Sequence, residues 1–162
     1  MSLYKPSEIF QFAIQIEENG EKFYRHIAQK LANPKIQELF IFLAGEELKH
    51  KKIYEQMVSK LGKNEPFETY PGEYFAYLRA YVDNKIFNQK KLDQVIANIK
   101  EETSAVNFAI DRELDSILYY QEMKTLVTEN NRQSIDEIVE EERKHFLKLS
   151  DIKKLINNKK EK

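Results

Sequence analysis

Over most of this chain apolar residues recur at roughly every third or fourth position, the beat of amphipathic helices rather than of strands. The first run, Ile9, Phe12, Ala13, Ile16, Gly20, Phe23, Ile27 and Leu31, predicts a helix from about Glu8, capped by Ser7, to about Leu31. Asn33-Pro34 closes it and opens the next. The second run, Ile36, Leu39, Phe40, Leu43, Ile53, Tyr54, Met57 and Leu61, carries a helix to Lys60 or Leu61, where Gly62 supplies a stop. A third helix is expected over about Ser104 to Thr128, broken by Asn130-Asn131. Ser134-Ile135-Asp136-Glu137 reads as a capping box that starts a fourth helix, which reaches about Ile156.

Residues 63 to about 102 do not fit this scheme. They hold Pro66, Pro71 and Gly72, an aromatic stretch from Tyr74 to Phe87, and a short amphipathic piece around Val95 to Ile99. A connection of that length can travel the length of a bundle, so the second and third helices are expected to run parallel. The aromatics Tyr74, Phe75, Tyr77, Tyr81 and Phe87 are expected to cover the bundle or a subunit contact. The fold class that follows is all-α: an antiparallel four-helix bundle with one long crossover between helices two and three, in one domain over residues 1–162. Only a few charged residues follow the fourth helix, so no fifth helix of the kind that closes a cage of such bundles is expected.

Each apolar stripe is interrupted at its middle by acidic or imidazole groups. Glu17 falls inside the first stripe, and Glu47 with His50 fills the central gap of the second. Glu113 lies between Val106, Ile110 and Ile117, Tyr120, while Glu142 and His145 lie between Ile138, Val139 and Leu149, Ile152. The interruptions are repeated along the chain. Ala13-Ile14, Glu17, Gly20 and Tyr24 return 96 positions later as Ala109-Ile110, Glu113, Ser116 and Tyr120. Glu46-Glu47-Leu48-Lys49-His50 returns 95 positions later as Glu141-Glu142-Arg143-Lys144-His145. Three residues apart on a helix, each Glu and His of a Glu-x-x-His pair share one face.

Four carboxylates and two imidazoles form the ligand set of a two-metal site inside a four-helix bundle. Burying four carboxylates without compensation costs several kcal/mol for each ionised group, or forces protons onto them. Two divalent cations would cancel the charge, and no Lys or Arg stands at the stripe centres to do so. Imidazole with carboxylate suits iron or manganese, and zinc would also bind. The rival reading is a buried proton-sharing network without metal. His26, nine residues from Glu17, points about 180 degrees away to the solvated side and is given no role. Tyr24 and Tyr120, on or beside the stripes, are read as core aromatics in preference to groups that hydrogen-bond a ligand or carry an electron, and Gly20 and Ser116 as positions that let helices approach or leave space above the metals.

Composition narrows the function further. With 33% charged residues and a net charge of -1, nothing predicts a nucleic acid or membrane partner. The chain has no cysteine, hence no disulfide, no thiolate zinc or iron-sulfur site and no iron-tetrathiolate module, so any electron donor must be a separate protein. Neither a secretory apolar run nor a membrane-length apolar segment is present, which predicts a soluble, cytoplasmic protein.

At these residues the chain resembles the ferritin-like di-iron carboxylate superfamily, and most of all its rubrerythrin-like branch. The marks are the wording Ala-x-x-x-Glu-x-x-Gly-x-x-Phe-Tyr over Ala13 to Tyr24 and the pairs Glu47/His50 and Glu142/His145. The resemblance implies that Glu17 and His50 hold one iron, Glu113 and His145 the other, and that Glu47 and Glu142 bridge the two. It implies a non-haem di-iron oxidoreductase that reduces peroxide or dioxygen, with those six residues as its catalytic set and a homodimer as a plausible assembly. Two features depart from the pattern. Peroxide-reducing rubrerythrins usually carry a further glutamate one turn after the third-helix ligand, where this chain has Ser116, and they usually carry a rubredoxin domain, which needs cysteine. The alternatives are an iron or other divalent-metal binding protein without dedicated turnover, and an interaction protein whose contact surface is the aromatic crossover.

Overall fold

The computed structural model describes residues 6–61, 72–86 and 88–160, and every element in them is helical. In chain order they are α1 (Pro6–Lys30), α2 (Pro34–Ser59), α3 (Gly72–Lys85), α4 (Gln89–Asn98), α5 (Glu102–Lys124) and α6 (Glu129–Lys160). The four long helices α1, α2, α5 and α6 are the four expected from the apolar stripes, and α3 and α4 are built from the crossover. Gly62, Pro66, Pro71 and Phe87 lie outside the described residues, as do the side chains of Tyr74 and Phe75.

Helices α1 and α2 form one antiparallel hairpin and α5 and α6 another. The hairpins meet through α1 against α5 and α2 against α6. Tyr24 reaches Glu113 while Tyr120 reaches Glu17, so α1 and α5 run antiparallel. Since α1 is also antiparallel to α2, helices α2 and α5 are parallel, and the long crossover does what its length required. Within it, α4 lays Leu92 and Ile96 against α1, and Lys30 donates to the Ile96 carbonyl at 2.8 Å. Helix α3 buries Val82 and stacks Tyr81 on Tyr119, with ring centroids 5.6 Å apart, while Tyr77 is left 43% exposed. No helix among the described residues is long and apolar enough to cross a membrane.

Several helix boundaries differ from those the sequence predicts; α5 begins at Glu102 rather than about Ser104, and α6 extends to Lys160, a full turn past the expected end at Ile156. Helix α1 already includes Pro6, the first described residue, so Ser7 lies inside the helix rather than capping it. Helix α5 stops at Lys124, and α6 starts at Glu129, so Asn130-Asn131 lies in the first turn of α6 and Ser134 lies inside the helix. The expected break and the expected capping box are therefore both displaced. The boundary is held by Thr128, whose carbonyl accepts from the N–H groups of Asn131 and Arg132. Arg132 donates to the Lys124 carbonyl at 3.1 Å and to Glu129 at 3.0 Å, tying the end of one helix to the start of the next. Asn33 caps α2 as expected, accepting from the Lys35 N–H at 3.1 Å, with Pro34 next.

Two apolar clusters fill the interior. One gathers Phe23, Tyr24, Ile27, Phe40, Leu43, Val106, Ala109 and Leu149; the other gathers Ile9, Phe10, Ile16, Tyr54, Tyr120, Met123, Ile135 and Val139. Each bundle helix passes from one cluster to the other, and does so at its acidic and imidazole residues.

Candidate metal centre

Glu17, Glu47, His50, Glu113, Glu142 and His145 meet in the layer between those clusters, none more than 4% exposed. The grouping is two overlapping sets of four. Glu17, Glu47, His50 and Glu142 each offer a ligand-type atom within 4.8 Å of the others, and so do Glu47, Glu113, Glu142 and His145. Glu47 and Glu142 belong to both sets. The two imidazoles face each other, with ring centroids 5.8 Å apart and planes 22° from parallel. Both turn Nδ1 inward: that of His50 lies 3.1 Å from Glu142 and 3.6 Å from Glu17, and that of His145 lies 3.0 Å from Glu142, 3.7 Å from Glu113 and 4.0 Å from Glu47.

The electrostatics show what this arrangement demands when only protons are available. Burial, and then the charges of Glu142, Glu17 and Glu113, push the Glu47 carboxyl well above the ordinary range. Burial and then Glu142 push Glu113 up to about 8. Glu142 goes the other way: burial raises it, but the His145 and His50 imidazoles beside it outweigh that and hold it well below the usual carboxylate range. Burial alone would lower both imidazoles. Glu17 and Glu142 instead hold His50 up to about 12, and Glu113 and Glu142 hold His145 up to about 9. Four of the six groups thus keep protons near neutrality in place of cations.

The donor set fits a pair of divalent cations. Glu17 Oε2, Glu47 Oε1, His50 Nδ1 and Glu142 Oε1 are all buried without a hydrogen-bond partner, an expensive condition that coordination would relieve. Gly20 belongs to the same design. A Cβ built there would lie 3.0 Å from the Glu47 Cδ and closer still to its Oε2, so the bare backbone makes room for that carboxylate.

Several contributors were not legible as such in the sequence. Tyr24 and Tyr120 are buried in the core, but each also donates its hydroxyl to a lone glutamate of the opposite helix, Tyr24 to Glu113 and Tyr120 to Glu17. Their signal was there: in both repeats the tyrosine stands seven residues, two turns, beyond the glutamate. Glu141 meets His50 Nε2 at 2.6 Å. Arg112 is buried next to Glu113, but its guanidinium donates to the carbonyls of Lys85 and Ile16, fastening the crossover to the bundle. His26 is exposed, as its position on α1 required.

Comparison with known proteins agrees with this architecture. A family model described as Rubrerythrin matches residues 8–153. Among solved structures, one described as a ferritin-like diiron-carboxylate protein of Thermotoga maritima superposes with a TM-score of 0.73. It is 26% identical, and the match covers 95% of this chain and 97% of that one. The all-α bundle is thus ferritin-like, and its buried Glu/His cluster is consistent with a dinuclear metal site. Among curated proteins nothing matches the chain.

Proposed function

We propose that this chain, which belongs to the rubrerythrin family, works as a non-haem di-iron oxidoreductase that reduces peroxide or dioxygen. In this reading Glu17 and His50 hold one iron, Glu113 and His145 hold the other, and Glu47 and Glu142 bridge. The observation that carries it is the overlap of two four-residue sets in Glu47 and Glu142, since a shared pair of carboxylates is what a dinuclear site needs and two separate sites do not.

Two iron ions held there would supply an oxidant with two electrons, one from each. The chain's own residues do the rest. Apolar clusters on both sides keep out water and competing ligands. Tyr24 and Tyr120 fix the carboxylates of Glu113 and Glu17. Glu141 accepts from His50 Nε2–H and keeps the inward Nδ1 aimed at the centre. Reduction of peroxide to water consumes two electrons and two protons, and without cysteine in this chain the electrons come from a separate donor protein. One domain over residues 1–162 suffices for the whole centre.

Anaerobic loading with ferrous iron, metal counting, then addition of peroxide or dioxygen with the ferric absorption recorded tests this reading. Rapid oxidation of two irons per chain is expected. A second reading, a binding protein for iron, manganese or zinc with slow or no turnover, draws on Ser116, which donates to the Arg112 carbonyl at 2.9 Å where peroxide-reducing relatives have a further carboxylate. Two metals bound without turnover, when an electron donor is supplied, would favour it.

A further inference from the structure

The internal repeat makes the two halves of the centre nearly equivalent, so the places where equivalence fails deserve an explanation. Tyr24 and Tyr120 are matched, each on the opposite lone glutamate. Tyr54 is not matched. Ninety-five positions after it, at the related place on α6, stands Leu149. Tyr54 is wholly buried, and its hydroxyl has no hydrogen-bond partner. A leucine like its counterpart would fill the space without stranding a donor, so the hydroxyl is a standing loss to the fold unless something outside the chain accepts from it.

Its surroundings say where that acceptor would sit. Tyr54 is one turn beyond His50 on α2, on the inward face, and its ring lies 5.3 Å from that of Tyr120. Burial, and then the charges of Glu17 and Glu142, push its phenol well above the ordinary range, so it stays an O–H donor. Glu17 already accepts from Tyr120. The second imbalance falls on the same side. His50 is anchored from outside by Glu141, whereas Glu46, the counterpart of Glu141, pairs with Lys49, and His145 is backed by the edge-on ring of Phe42, 6.1 Å away.

We propose that the small oxygen ligand of this centre, peroxide or dioxygen, and anions of like size such as azide, bind on its Glu17–His50 side and accept a hydrogen bond from the Tyr54 hydroxyl. The proposal rests on the di-iron reading above and assigns Tyr54 as the residue that positions the ligand. No proton or electron need leave Tyr54 for this role: it donates a hydrogen bond and keeps its proton.

The test compares the native chain with Tyr54→Phe and Tyr119→Phe, each loaded with ferric iron, by metal content and by azide titration of the absorption spectrum. Tyr119 is the control, because it lies in the same aromatic group but donates to the Ile9 carbonyl at 2.9 Å. Tyr54→Phe is expected to keep two metals per chain and to bind azide about tenfold more weakly, the scale of one lost hydrogen bond. Tyr119→Phe is expected to stay within about twofold of the native affinity. The melting temperature of the cation-free protein should rise in Tyr54→Phe, since an unpaired buried donor is removed. Equal azide affinity in Tyr54→Phe and native protein, with both holding two metals, overturns this proposal alone; a native chain that holds no metal pair overturns the di-iron reading with it. A lower melting temperature in Tyr54→Phe would show the hydroxyl satisfied without a ligand and would likewise overturn the proposal.

Discussion

Raising the pH should destabilise the cation-free protein while leaving the metal-loaded one nearly untouched. Glu113 carries the argument, because burial and Glu142 hold it up to about 8 against 4.5 for a free glutamate. A carboxyl raised in this way favours the fold while protonated. Its contribution is whole below pH 4.5 and is lost as the pH climbs to about 8. At about 1.4 kcal/mol per pH unit the loss is on the order of 5 kcal/mol. His145, raised from 6.5 to about 9 by Glu113 and Glu142 against its burial, acts in the same direction: its contribution is whole below 6.5 and gone above about 9. Glu113 and His145 are 3.7 Å apart and release their protons as a pair, so the two losses do not simply add. Glu142, held below the usual range, loses its contribution only as the pH falls under 4.5, outside this window. About 5 kcal/mol rivals the whole stability of many domains, and for a chain of this size it corresponds to a fall in melting temperature of about 10–20 °C between pH 5 and 9. Circular-dichroism melts in the presence of a chelator, repeated with two equivalents of a divalent cation, measure it. A cation-free melting temperature that stays level or rises across that interval would refute the reasoning.

Three further outcomes are expected. At pH 7, uptake of divalent cations should release protons from His50, His145, Glu47 and Glu113, seen as a calorimetric heat that changes with the ionisation enthalpy of the buffer; a buffer-independent heat would contradict it. Glu47→Ala combined with Glu142→Ala should abolish paired-metal binding, since both four-residue sets lose two members; unchanged metal stoichiometry would refute the bridging assignment. Gly20→Ala should turn the Glu47 carboxylate aside and weaken metal binding about tenfold or more, as disturbed ligand orientation does elsewhere. The fold should tolerate that change, since alanine is favoured over glycine inside a helix by about 0.5–1 kcal/mol.

What the chain states twice was the most legible in the sequence, and most of what it states once was legible only where a local signal such as Asn33-Pro34 marked it. The lone glutamate followed by Glu-x-x-His occurs in both halves, each time at the centre of an apolar stripe, so the four-helix bundle and the meeting of six side chains followed from periodicity alone. The helix ends depend on single local contacts. Ser134-Ile135-Asp136-Glu137 has the wording of a capping box, but Arg132 reaches both Lys124 and Glu129 and moves the boundary upstream, a link between two helices that no local pattern announces. Tyr24 and Tyr120 stood between these cases. Their spacing from the glutamates was repeated, but that each would donate across to the other helix depended on the register between α1 and α5.

That register explains why a repeated sequence should yield an unequal centre. Two similar hairpins, packed so that Glu47 and Glu142 fall within reach of both histidines, generate a symmetric cage for two cations; nothing in such a cage tells an incoming ligand which side to take. Asymmetry must come from residues outside the repeated set, and it does: Tyr54 against Leu149, Glu141 free to hold His50 while Glu46 is engaged by Lys49, Arg112 against Ile16 where the crossover is tied down. All of these differences lie around the Glu17–His50 half or the crossover. A duplicated frame therefore supplies the charge balance, and unduplicated side chains supply direction. Exchanging the unequal pair, Tyr54→Leu with Leu149→Tyr, would carry the unpaired donor to the Glu113–His145 half without altering the six central residues.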